Sequence, residues 1–321
     1  MSTPIVSVII SNRNDLTMLN VTIRSCIEEL REVSGEIVIV DNSDPEIQAK
    51  LGSYVPKGYL QDKTIRMYMQ DFPCLFKARE TAAEKAKGKY IFCLDSHMLV
   101  GHNVIRDLVK FAEDFKDKPR MGFLHAPISW AHQHEVHAKH DRDMSVCELG
   151  DWNKVYKEPR KITWKGMPWL CSRDWFLDRQ KGLNAYGALA KNHISWGGGD
   201  MHIGIKPWLL GFQNWAVPTR PCIHIGPFPN IDHNLDSFKY RLYSVSGKFP
   251  HTFGFLVSCY ILGGEPMMNR NKKVLAEKFG KYLDINKWWN QAKELGEEEK
   301  QWLDHHKVIS FEQLLETKPW I

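Results

Sequence analysis

The run Tyr90-Ile91-Phe92-Cys93-Leu94 is apolar at every position and ends in Asp95-Ser96-His97. A short apolar run bounded by polar residues is the pattern of a strand buried on both faces. Few such strands end in two side chains that ligate metals, so a carboxylate and an imidazole two residues apart read as half of a metal site. Upstream, Lys77-Ala78-Arg79 followed by Ala82, Ala83, Ala86 and Gly88 describes a small-residue helix that closes with glycine and feeds directly into this strand.

The neighbouring pattern repeats the alternation of strand and helix. Ile5 to Ile10 is a β-branched apolar run, and Ser11-Asn12-Arg13-Asn14-Asp15 then opens a helix with apolar Leu16, Leu19, Ile23 and Ile27. Ile37 to Val40 is a second buried strand ending at Asp41-Asn42-Ser43-Asp44, so a parallel β-α-β unit is the simplest reading. Ligands of open parallel sheets bind beyond the carboxyl ends of the strands. Asp41 therefore stands where a nucleotide would be held, with Asn12 and Arg13 as candidates for the same pocket. A turn or helix cap is the plain alternative for Asp41.

Further along, a short strand is expected around Ile65 to Met69, a helix over Val104 to Phe115 and a strand from Met121 to Leu124. From Lys272 to Trp302 the sequence is helical in character, with Leu275, Phe279, Tyr282, Trp288 and Trp289 as an apolar stripe. No repeat or long linker divides the chain. The expected organisation is a catalytic domain over 1–235 and a helical extension over 236–321 packed on it.

The run from Ala78 to His97 resembles the nucleotide-sugar glycosyltransferases of the GT-A fold, in which an Ala-Arg helix precedes a strand ending in Asp-x-Asp or Asp-x-His. The His form is similar to the polypeptide N-acetylgalactosaminyltransferases. A second block, Trp196-Gly197-Gly198-Gly199-Asp200-Met201-His202-Ile203, resembles their Trp-Gly-Gly-Glu-Asn segment and the Glu-Asp segment of the wider family-2 transferases. Met167 to Phe176 resembles the family strand and Arg-Asp-x-Phe turn that begin the acceptor half. The fold so implied is an α/β, Rossmann-like GT-A domain with a mostly parallel central sheet flanked by helices and a helical C-terminal extension.

The resemblance also implies a UDP-sugar donor and a divalent metal, Mn²⁺ or Mg²⁺, held by Asp95, His97 and a third, downstream histidine. Within Pro221-Cys222-Ile223-His224-Ile225-Gly226-Pro227, the position after Gly226 is proline where the N-acetylgalactosaminyltransferases carry histidine. His224 instead resembles the histidine of His-x-Gly segments in other family-2 transferases and is assigned as the ligand, with His233 as the fallback. Arg79 comes with the donor site by the same resemblance. Asp200 corresponds to the catalytic Asp of the Glu-Asp form, and an ionised carboxylate beside the sugar can deprotonate an acceptor hydroxyl; its plain alternative is a helix N-cap. Gly199 replaces the preceding family Glu, so the retaining mechanism does not carry over directly. Gly198 is read as backbone close to the sugar and Trp196 as a pocket wall, with core packing the alternative for the tryptophan.

Composition narrows the partners. A formal charge of +5 is compatible with an anionic partner without demanding one. Trp152, Lys154, Tyr156, Lys157, Arg160, Lys161, Trp164 and Lys165 interleave aromatic and basic side chains, a mixture that stacks bases and neutralises phosphates, or that covers a diphosphate donor as a loop. The acceptor reading leans to DNA, as a hydroxymethylated or glycosylated base in viral DNA flipped from its duplex; a protein Ser/Thr or a glycan is the alternative, and a non-catalytic nucleotide- or glycan-binding protein the second. His125, His132, His134, His137 and His140 form a tract read mainly as a solvated or acceptor-side loop, with a second, zinc site as the lesser alternative. Seven scattered cysteines show no disulfide framework, no run of about 18 apolar residues is present, and a cytoplasmic location is expected.

Overall fold

The computed structural model describes residues 3–61, 64–115, 120–130, 157–162, 166–225, 249–250, 253–279, 284–317 and 319. Strand β1 (Val6–Asn12) is buried along its whole length and β2 (Gly35–Asp41) along all but its first residue, as parallel strands covered on both faces must be. Helix α1 (Leu16–Glu29) joins them. It starts at Asp15, whose Oδ1 accepts the Met18 N–H at 3.2 Å, and turns Leu19, Ile23, Cys26 and Ile27 inward. Three short helices, α2 (Pro45–Gln48), α3 (Leu51–Tyr54) and α4 (Lys57–Gln61), lead to β3 (Ile65–Met69), and α5 (Leu75–Lys85) follows. The alanines Ala78, Ala82 and Ala83 are fully buried where α5 lies against β1 and β2.

Next come β4 (Tyr90–Asp95), β5 (Met98–Leu99), α6 (Val104–Asp114), β6 (Met121–His125), β7 (Ile128–Trp130), β8 (Arg160–Ile162) and β9 (Trp169–Ser172). Helices α7 (Arg173–Leu177), α8 (Ala188–Lys191) and α9 (Gly199–Leu209) precede β10 (Gln213–Ala216) and β11 (Cys222–His224). The chain closes with α10 (Phe253–Phe279), α11 (Ile285–His306) and α12 (Phe311–Thr317).

The eight-stranded sheet has the order β3-β2-β1-β4-β9-β6-β10-β8. Strands β3, β2, β1 and β4 are parallel, whereas β9 runs antiparallel between β4 and β6, and β8 antiparallel on β10. The expected parallel sheet is thus parallel in the half carrying Asp41 and Asp95 and mixed beyond it, because an apolar run such as Trp169-Leu170-Cys171 carries no signature of direction. Register places the strand ends level, with Asn12 opposite Asp41 and Ser11 opposite Asp95. A second, three-stranded sheet, β5-β11-β7, sits at this edge. In the large sheet Trp169 of β9 and Phe123 of β6 are fully buried, edge-on at 4.8 Å, as are Phe176 of α7 and Tyr186.

The helical C-terminal region begins at Phe253, earlier than the expected Lys272, since the apolar first half of α10 is buried on the core. This helix kinks at Gly264 (φ 65°, ψ −159°), two residues before Pro266. The expected boundary near 235 lies outside the described residues. Among these, no helix is long and apolar enough to cross a membrane, and the six described cysteines are buried.

Candidate active site

Asp95 closes β4, and His97 follows on the turn into β5. The small sheet delivers the third side chain: β11 pairs antiparallel with β5 so that His224 stands opposite Met98, and the Ile225 N–H donates to the His97 carbonyl at 2.9 Å. His97 Nε2 and His224 Nε2 come to 3.1 Å, and His224 Nε2 lies 4.0 Å from Asp95 Oδ2. One ligand atom from each of the three residues lies within 4.8 Å of the others. Two imidazole nitrogens aimed at each other across hydrogen-bond distance can share at most one proton, whereas a divalent cation would satisfy both, so the site fits a metal. One carboxylate with two imidazoles suits Mn²⁺ or a similar transition metal better than Ca²⁺.

Behind the cluster, Arg79 of α5 donates from Nη2 to Asp95 Oδ1 at 2.8 Å and from Nη1 to the Tyr186 hydroxyl at 3.2 Å. Asp95 is held below the ordinary carboxylate range: burial works against this, and Arg79 with the two imidazoles outweighs it. Asp200, in the first turn of α9, is pushed up to about 6 by burial, with Arg79 opposing and Asp95 adding to the rise. The structure thus gathers two carboxylates with opposed protonation tendencies around one guanidinium, the arrangement that separates a permanent anion from a proton acceptor.

Asn12, Arg13 and Asp41 form a neighbouring unit along the same sheet edge. Asn12 Nδ2 and Ser43 Oγ donate to Asp41 Oδ1 at 2.6 and 2.8 Å, and Asp41 is fully buried. Arg13 donates to the Asn42 carbonyl at 2.5 Å and pairs with Asp44 at 3.2 Å. The Asp41 carboxylate is therefore held by Ser43 of its own turn and by Asn12 of β1, while Arg13 remains partly exposed. Trp196 is exposed and meets Phe255 of α10 edge-on at 5.6 Å. Gly198 caps α9 at φ 75°, and a side chain there would collide with the Gly254 carbonyl and Ser258 Oγ, so close approach of α10 accounts for this glycine. The Phe76 ring fills the space beside Gly199, which is the physical reason a glutamate has no room there.

The model of the family described as glycosyl transferase family 2 matches residues 7–175, just over half of the chain. The chain belongs to glycosyl transferase family 2. Among solved structures, this family-2 chain is similar to GalNAc-T7, crystallised with UDP, GalNAc and Mn²⁺, at a TM-score of 0.66 and 20% identity over 99% of this chain. It spans 57% of that chain's length. It is also similar to S. aureus TarS, at a TM-score of 0.50 and 12% identity, covering 88% of this chain and 45% of that one. No curated protein matches it significantly. The fold of this family-2 chain is GT-A, with the helical C-terminal region packed on the sheet's helices.

Two side chains of the candidate site went unassigned in the sequence. Asp15 Oδ2 lies 3.4 Å from His97 Nδ1, which fixes the proton on that nitrogen and leaves Nε2 for a metal. His97 is raised above the ordinary imidazole range, burial opposing and the Asp15 bond with Asp95 prevailing. Tyr186, which locks Arg79, lies in a loop without a motif. The only signal for Asp15 was its place as the last polar residue before α1. Asp15→Asn keeps a good helix cap but removes the charge behind His97, and Mn²⁺ affinity measured by calorimetry is expected to fall about 10–100-fold. Unchanged affinity would remove Asp15 from the site. His125 is fully buried at the end of β6 rather than on a solvated loop, and His132, His134, His137, His140, His233, the stretch Trp152 to Tyr156, Trp164 and Lys165 lie outside the described residues.

Proposed function

We propose that the chain transfers a hexose or N-acetylhexosamine from a UDP-sugar to a hydroxyl, with Mn²⁺ held by Asp95, His97 and His224. The observation that carries this reading is the convergence of these three side chains at the carboxyl edge of the parallel strands, with Asp200 coupled to them through Arg79. A divalent cation bound there supplies Lewis-acid stabilisation of the departing diphosphate. GalNAc-T7, which shares the fold, was crystallised with UDP and Mn²⁺. Arg79 keeps Asp95 ionised and oriented. Asn12, with Asp41 buried behind it, and Arg13 border the adjacent strand end, where the nucleoside would lie, and Trp196 with the turn at Gly198 borders the sugar side. Asp200 takes the proton of the acceptor hydroxyl as it attacks the anomeric carbon, and a single base acting this way leads to inversion.

For the acceptor we favour a hydroxymethylated base in DNA, supported by the net charge of +5 and by exposed Lys157 and Arg160 at the β8 edge. The test is UDP release from a panel of UDP-sugars with Mn²⁺, with and without hydroxymethylated DNA, followed by mass analysis of the DNA. Release that rises with DNA together with a one-sugar mass gain is expected. Release with unmodified DNA would move the acceptor to proteins or glycans, and UDP-sugar binding without release would leave a non-catalytic binding protein.

A further inference from the structure

Outside the site, Glu299 of α11 meets His202 and Lys206 of α9 in a titratable cluster closed off from water. Lys206 Nζ lies 2.5 Å from Glu299 Oε1 and 3.2 Å from His202 Nε2, and His202 Nε2 lies 2.9 Å from the same Oε1. A fully buried charge pair is seldom more stabilising than apolar residues of the same volume, so stability alone does not account for it. Its surroundings do. Glu299 Oε2 accepts the Ala188 N–H at the start of α8. The adjoining Gly187, at φ 46°, has no room for a side chain because the Glu299 carboxylate occupies that space. Tyr186, one residue earlier, stacks on His202 with centroids 6.5 Å apart, accepts from Arg79 through its hydroxyl, and donates its N–H to Glu80, the neighbour of Arg79 on α5, at 3.1 Å. On the other side, His202 lies two residues after Asp200 on α9.

We propose that Glu299 is a positioning residue of the transfer site. Through its carboxylate, helix α11 fixes both α9, which carries Asp200, and the corner at 186–188, which holds Arg79 against Asp95. This rests on the reading of Asp95 and Asp200 given above. The C-terminal helices are then part of the catalytic apparatus rather than an appended layer.

Two neutral replacements of the pair separate positioning from stability. Glu299→Gln with Lys206→Met removes both charges but keeps an acceptor for the Ala188 N–H. Glu299→Leu with Lys206→Met removes the acceptor as well. Because a misplacement near 1 Å can cost about 10²-fold in rate, the Leu/Met protein is expected to lose roughly 30-fold in kcat, with the donor KM within about twofold and weaker Mn²⁺ binding by calorimetry. The Gln/Met protein should stay within about threefold of wild type in all three. Equal kcat and equal Mn²⁺ affinity in the two proteins would overturn the proposal. Should the Leu/Met protein fail to fold, Glu299→Asp keeps the charge facing Lys206 and withdraws the carboxylate from Ala188 by one methylene. A kcat loss of about tenfold is then expected, and wild-type kcat and Mn²⁺ affinity would overturn it. A wild-type protein without turnover would sink the transferase reading instead, and the Mn²⁺ titrations would still decide on Glu299.

Discussion

Asp95→Ala is expected to abolish Mn²⁺-dependent UDP release, with a loss of roughly 10³-fold or more. A Lewis acid contributes several kcal/mol to the departure of a charged leaving group, and each 1.36 kcal/mol is about tenfold in rate. Asp95 is the one carboxylate of the three clustered side chains, so without it two imidazoles remain. Asp95 Oδ1 also receives the Arg79 guanidinium, which is 4% exposed. Removing it leaves a buried cation without its anion, and a stability loss of a few kcal/mol accompanies the activity loss. Asp95→Asn separates the two effects, since the amide keeps the volume and an acceptor for Arg79 while losing the charge. Because the amide still leaves Arg79 without its anion, a melting temperature between those of Asp95→Ala and wild type, with lost Mn²⁺ affinity and lost turnover, is the expected result. Full turnover in folded Asp95→Asn would take the metal away from this residue.

The part of this site on strand β4 was legible because burial and chemistry coincide there: an apolar run names the strand, and the polar residues that end it must face the sheet edge. The helix beginning at Val104 was legible from its apolar periodicity, whereas the strand Ile65–Met69 was placed despite imperfect alternation, and its burial does not alternate. His224 was legible as a residue type but not as a neighbour. Its approach to His97 depends on pairing between β5 and β11, two- and three-residue strands joined only by tertiary structure. Glu299 was hidden in the run Glu297-Glu298-Glu299, where sequence gives three equivalent acids. Only the rotation of α11 against α8 and α9 turns the third one inward. Gly199 read as a lost acid, and its cause, the ring of Phe76, lies on another helix.

Asp200→Asn is expected to lower kcat by about 10²–10⁴-fold while leaving the donor KM within about twofold, because general base catalysis contributes on that scale and the amide keeps the shape of the side chain. The pH dependence gives the sharper test. Burial lifts Asp200 to about 6, against the pull of Arg79 and with the push of Asp95. Only the ionised form can accept a proton, so below pH 6 the active fraction falls tenfold per unit, and above it kcat/KM levels off. Since kcat/KM reports the free enzyme, this limb belongs to the protein before donor binds. In Asp200→Asn the limb should vanish along with the rate, and the residual activity should be flat over the same range. A limb at pH 6 that survives the substitution would assign it to another group, and retention rather than inversion at the anomeric carbon of the product would remove the base role altogether, leaving Asp200 as an electrostatic neighbour of Arg79 and Asp95.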